Sequence, residues 1–595
     1  RYEYIMKYKI INWLMAGSAL MLLNACDDYL SPNEYGVVSK DLLYETTEYV
    51  SKMSAGMYGC IPQQTGLGMS AATDEAELVD DSETMQDFNL GSWNQYSNPD
   101  DVWESCYKGI RIACDFLAET DTITYSYYKY YNPAKYTTLM RDLNTGRAEA
   151  HFIRAYLYLE LMKRYGEVPL ITDKVDMTGG NVDLSLYPRA PLADIVAFIS
   201  KECDIVCREG EYYLSEEEIA ERTENGKKLL DVPYRDTLDI AYPSSGDLAQ
   251  YLGRATRASA YALKAKALVY YASPLFNPEQ DVERWKAAAV ACKKVLDLPE
   301  ESYGLAKDYA SLFSSMNNWN KEFLFVRKVG AENAFERANY PISIEGGNTG
   351  ICPSQNLVDA YEVITGNVAV PFDWNNNAHK ENPYSGRDPR LEATVYKHGD
   401  LYDEKVNPIK LNVKLNGNSG APLYHATKTG YYLKKYVNPS LNLKNDQKGY
   451  KTWVLMRMAD FYLYYAEAMN EAYGPDAKAD DLKLTARAAL NRVRLRAKMP
   501  EYTGGKGDKD VFREKVYAER RVELAFENAR WWDVRRWKRG QELNKDIRGV
   551  SVSWRGYEPM VVEQRQFDES KMYFYPIPQE EVDKSGGVLT QNPGW

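Results

Sequence analysis

The sequence predicts a mainly α-helical protein in which tetratricopeptide-like helix pairs form a scaffold around a loop-rich inserted subdomain. Long windows repeat apolar residues at three- and four-residue steps, the mark of a helix with one buried face. Helices rich in Ala and Tyr recur with a partner helix after them, and three such pairs resemble degenerate tetratricopeptide units. Between Tyr303 and Tyr450 the periodicity fades while Gly, Asn and Pro accumulate, as in Glu345-Gly-Gly-Asn-Thr-Gly350 and Asn416-Gly-Asn-Ser-Gly-Ala-Pro422.

Taken in order, Lys7 and Lys9 precede an apolar run from Ile10 to Leu23 that is short for a membrane span and ends in Leu23-Asn24-Ala25-Cys26. That ending resembles a lipobox, which makes residues 1–25 a signal peptide and Cys26 the lipid-bearing residue. Asp27-Asp28 resembles a surface-export signal, and Pro32, Asn33 and Gly36 make 26–38 a tether. Helices are expected over Lys40–Cys60, Asp101–Thr120, Arg147–Tyr165, Pro191–Glu209, Arg254–Ser273 and Trp285–Val295, within an N-terminal helical region at 39–302. The loop-rich subdomain covers 303–450, with short strands expected at Glu322–Arg327 and Leu391–Tyr396. A C-terminal region, 451–595, holds helices at Met456–Tyr473 and Leu484–Ala497 and one over Glu519–Trp537.

The last of these carries the chemistry that has to be weighed. Glu519, Glu523 and Glu527 stack one turn apart on one face, with Arg520, Arg521, Arg530, Arg535 and Arg536 in reach. Two facing carboxylates are what glycoside hydrolysis requires of an acid and a base. Carboxylates crowded by Arg and Trp on one helix more often form a structural ion-pair network, and that reading is preferred. No Gly-rich phosphate loop, HExxH or Gly-x-Ser-x-Gly is present, so no residue is assigned as catalytic.

Composition narrows the remaining classes. The 595 residues are 45% hydrophobic, enough for a large core, and the net charge of −12 disfavours a nucleic-acid partner. Cys203 and Cys207 lie one helical turn apart, but the chain has four His and none near them, so buried free thiols are expected and no metal or cofactor. Tyrosine is abundant, 49 against 15 Phe, which suits helix interfaces and also the stacking of rings on sugars. Aromatics on loops ask for a partner most directly. Trp93, Tyr96, Trp319, Tyr340 and Trp374 stand in Asn-, Gly- or Pro-rich stretches, with Asp74-Glu75, Asn94 and Asn318 as polar neighbours. They are the candidate ligand-binding residues, the competing reading being that such rings pin loops to the body.

Five motifs in order also resemble the SusD/RagB family. They are Arg147-Ala-Glu-Ala150 running into Gly166-Glu-Val-Pro169, Arg387-Asp-Pro-Arg390, Glu519-Arg-Arg-Val-Glu-Leu-Ala-Phe-Glu527 with Arg530-Trp-Trp-Asp533, Tyr573-Phe-Tyr-Pro-Ile-Pro-Gln579 and Gln591-Asn-Pro-Gly-Trp595. The resemblance implies an α-helical fold with tetratricopeptide-like units, anchoring at the outer membrane, and partnership with a SusC-type TonB-dependent transporter. It implies a lid that captures an oligosaccharide rather than an enzyme, with no fixed ligand residues. A peptide-capturing lid, a surface glycoside hydrolase and a bare protein scaffold are the alternatives.

Overall fold

The computed structural model describes residues 47–62, 67–175, 186–212, 235–241, 251–313, 319–479 and 481–595, with short pieces between 215 and 228. The expected signal peptide, Cys26 and the expected tether lie outside these residues, as does Asn318. The fold is mainly α, as expected. Its helices are α1 (Thr47–Gly59), α2 (Trp103–Thr120), α3 (Pro133–Tyr165), α4 (Leu192–Cys207), α5 (Arg257–Ala272), α6 (Val282–Leu296), α7 (Met458–Tyr473), α8 (Ala486–Arg496), α9 (Lys509–Glu523) and α10 (Arg530–Arg536). They pack in an unbroken row from α2 through α3, α4, α5 and α6 to α7, which then meets both α8 and α9. Small residues make the close approach possible: Ala258, Ala262 and Ala265 on α5 and Ala288 and Ala289 on α6 are fully buried.

Local chemistry sets the ends. Thr256 and Ser259 form a reciprocal capping box that starts α5. Gly166, at φ 72°, stops α3. That helix begins 14 residues before the expected Arg147, because Asn132 caps it and Pro133 occupies its first turn. Gly146, inside this helix, is a packing point, since a Cβ there would lie 3.1 Å from Val50 and 3.2 Å from Phe116.

The strands are short: β1 (Ala76–Leu78), β2 (Phe323–Glu332), β3 (Ile351–Pro353), β4 (Gly449–Arg457), β5 (Ile547–Ser553) and β6 (Gly556–Glu563). β2 covers all but the first residue of the strand expected at Glu322–Arg327 and pairs antiparallel with β4, Val326 opposite Val454. This pairing joins the two ends of the loop-rich stretch. The strand expected at Leu391–Tyr396 is for the most part a helix, Pro389–Thr394, because the Asp388 side chain caps it and Pro389 opens it. A second core under the loops buries Phe335, Tyr340, Tyr361, Tyr402, Tyr436 and Trp453. Among the described residues seven cysteines are buried and free, Cys203 and Cys207 among them. Among the described residues no helix is long and apolar enough to cross a membrane.

The helix expected over Glu519–Trp537 is broken. Phe526 (φ 59°) and Asn528 (φ 56°) are left-handed, so α9 ends at Glu523 and α10 starts at Arg530. Glu519 and Glu523 keep the shared face and straddle Arg390, at 2.7 and 2.8 Å. Glu523 also pairs with Arg457 at 2.7 Å and with Arg496, and Glu519 with Arg494 at 2.7 Å. Glu527, past the break, takes Arg457 at 2.6 Å and Lys435 at 2.7 Å. Burial alone would raise these carboxyls, but the cations overcome it. Arg390 and Arg494 bring Glu519 down to about 2, and Arg496, Arg457 and Arg390 hold Glu523 well below the carboxylate range. Three buried carboxylates fixed in the ionised form, each committed to two or more cations, have no proton to give and no open face for a substrate.

Candidate functional site

A group of exposed polar and aromatic residues gathers where β1 pairs with β3. Ala76 stands opposite Pro353 and Leu78 opposite Ile351, and the Val79 N–H donates to the Gly350 carbonyl at 2.8 Å. This register brings Asp80-Asp81-Ser82, just after β1, beside Asn348, just before β3. The loop 412–430 completes the group. Tyr424, 81% exposed, lies flat on His425 with ring centroids 3.8 Å apart and planes 23° from parallel. His425 Nδ1 is hydrogen-bonded to Asn348 Oδ1, and Lys428 is paired with Asp81. Two hydrogen bonds from Ser82, at 2.9 Å from its N–H and 2.7 Å from its hydroxyl, hold Asp80 below the carboxylate range, helped by the charges of His425 and Lys428.

The loop is braced from below. The Asn412 N–H donates to Asn418 Oδ1 at 2.9 Å, and the Tyr432 hydroxyl donates to the Ser419 carbonyl at 2.6 Å. Behind it, the Val550 N–H donates to the Thr429 carbonyl at 2.8 Å. A Cβ at Gly549 would sit 2.6 Å from Thr429 Cα, so only glycine lets β5 lie this close. His425 is left-handed at φ 57°, a conformation that a non-glycine residue keeps only where its surroundings over-determine it. The result is a flat ring pair facing solvent, edged by carboxylates, an amide and an ammonium. Such a surface can stack on the apolar face of a sugar ring while its rim meets the hydroxyls.

The five residues expected from sequence are dispersed, and no ring contact joins any two of them. Trp93 is a correction: it is 1% exposed, wedged against Phe88 (5.0 Å), Tyr575 (5.1 Å) and Trp595 (4.6 Å), and shows no face to a ligand. Tyr340 is another, fully buried, its hydroxyl bonded to the Asn438 carbonyl and accepting the Leu441 N–H at 3.1 Å. Tyr96 is 78% exposed on a turn closed by Asn94, whose Oδ1 accepts its N–H at 2.9 Å. Trp319 is half-buried, edge-on to Tyr303. Trp374 is half-buried too, its Nε1 donating to Asp359 Oδ1 at 3.1 Å.

Asp74 and Glu75, expected beside a ligand, belong to the interior. Asp74 pairs with Arg521 at 2.6 Å and Arg530 at 2.9 Å, and Glu75 is 1% exposed. Sequence reasoning missed Asp80, Asp81, Asn348, Tyr424 and His425. The signal for Tyr424 was present, because it follows the Asn-, Gly- and Pro-rich stretch ending at Pro422 by two residues.

Comparison with known proteins bears on the whole chain. Residues 319–595 match the family model described as SusD family, and residues 28–205 match one described as starch-binding associating with outer membrane. A SusD-like protein of Formosa agariphila is 22% identical over 99% of this chain and 100% of its own. A solved SusD-like protein from Bacteroides fragilis superposes with a TM-score of 0.72 at 23% identity, covering 93% of this chain and 98% of that one. A SusD-like carbohydrate-binding protein from the same species gives 0.69 at 20%, covering 92% and 99%. At these identities the superpositions establish the fold.

Proposed function

The chain belongs to the SusD/RagB family, and from that premise we propose that it is a cell-surface lipoprotein that binds an oligosaccharide and passes it, as a lid, to a SusC-type TonB-dependent transporter. The observation that carries the glycan reading is the exposed Tyr424–His425 stack rimmed by Asp80, Asp81, Asn348 and Lys428. The match of residues 28–205 to the starch-binding, outer-membrane-associated family model and the carbohydrate-binding structural relative support the same ligand class and the membrane setting. Tyr96, Trp319 and Trp374, each with some ring surface in solvent, are proposed as further contacts. Cys26 is proposed as the lipid attachment, so Cys26→Ala should move the chain out of the membrane fraction. Unchanged acylation and retention would refute the anchor.

Ring stacking and hydroxyl bonding are the work assigned to the platform, so no bond is made or broken there. In calorimetry with the glycan that an array selects, Tyr424→Ala should weaken binding roughly tenfold, about 1.4 kcal/mol, with the melting temperature unchanged. An unaltered affinity would place the sugar elsewhere.

A further inference from the structure

Trp554 is the only exposed tryptophan among the described residues, 85% accessible, while every other one is buried or half-buried. It stands at the tip of the β5–β6 hairpin, where Ser553 pairs with Gly556 and Trp554-Arg555 form the two-residue turn. The support is stiff. β5 turns Ile547, Gly549, Val550 and Val552 into the body, and the ladder with β6 runs to the turn. The Arg555 guanidinium lies 4.9 Å from the Trp554 ring centroid and steadies it. A single exposed ring needs no explanation by itself. Its place supplies one, because β5 is hydrogen-bonded at Val550 to Thr429, near the end of the Tyr424 loop. Chain reach from that junction, about 3.3 Å per residue, keeps the Cα atoms of Trp554 and Tyr424 within roughly 35 Å.

Resting on the reading of Tyr424 as a sugar platform, we infer that Trp554 is a second stacking station of the same surface and the residue that selects for glycan chain length. Short sugars occupy the Tyr424–His425 platform alone. Longer ones continue along the surface of the β5–β6 hairpin and end on the Trp554 ring.

The test uses the soluble chain 27–595 and a ladder of oligosaccharides made by partial hydrolysis of the array polysaccharide the chain retains best. In the parent protein, affinity should rise with length and then level off. Trp554→Ala should cost about tenfold on the long rungs, leave the shortest binding rung unchanged and keep the melting temperature, with Trp554→Tyr recovering most of the loss. Tyr424→Ala should weaken every rung. If Tyr424→Ala acts and Trp554→Ala changes nothing, or changes all rungs alike, the second station is refuted and the platform stands. If Tyr424→Ala is silent, or no polysaccharide is retained at all, the platform falls and this inference with it.

Discussion

Glu523→Ala is expected to destabilise the fold by about 3–5 kcal/mol, the cost of leaving buried cations without their partner. The carboxylate is fully buried and meets Arg390, Arg457 and Arg496, which come from three separate parts of the chain. Its removal leaves Arg390 on Asp388 and Glu519, and Arg457 on Glu322 and Glu527, with one excess positive charge in the interior. The pH dependence has a definite sign. A carboxyl held below its unfolded value contributes stability above about pH 4.5, and this is lost as pH falls toward the folded value. The parent should therefore lose stability steeply in acid, and the variant less so. Chemical denaturation at pH 7 and pH 4 measures both, and a variant as stable as the parent at pH 7 would show that the network does not hold the fold.

Glu75→Gln should act the other way and stabilise the protein at alkaline pH. Burial, and next the charge of adjacent Asp74, push the Glu75 carboxyl up from 4.5 to about 7. Its Oε1 meets no hydrogen-bond donor among the described residues, while Arg521 and Arg530 are spent on Asp74. A folded value raised above the unfolded one means the contribution is complete below about pH 4.5 and lost as pH rises through 7. Between pH 5 and pH 8 this group should cost the parent about 2.5 kcal/mol. Glu75→Gln should match the parent near pH 5 and exceed it at pH 8, leaving the slope of Glu77, which burial also lifts to about 7. Parallel stability curves for the two proteins would contradict this.

The helical scaffold was legible because its signals are local. Ala and Tyr at three- and four-residue steps and Gly166 before Pro169 act within a few residues. The break between α9 and α10 was not legible, since it places Glu527 against Lys435 and Arg530 against Asp74, partners far away in sequence. Pro389–Thr394 was misread although Asp388-Pro389 is a helix start, because Leu391 to Tyr396 also fits a short strand. Trp93 illustrates the limit at the site. Its loop is rich in Asn and Pro, yet the ring that covers it is Trp595, at the other end of the chain. Conversely, the loop that carries Tyr424 is marked in the sequence by its Asn, Gly and Pro, but only the β1–β3 register sets Asp80 and Asn348 beside its neighbour His425.

The most direct test of the central claim is an array of plant, algal and microbial polysaccharides, with a peptide panel beside it, probed with the soluble chain 27–595 and followed by a reducing-end assay on every retained glycan. The account expects retention of a restricted set of glycans with no reducing ends released. Retention of peptides alone, or release of sugar from a bound glycan, would contradict it.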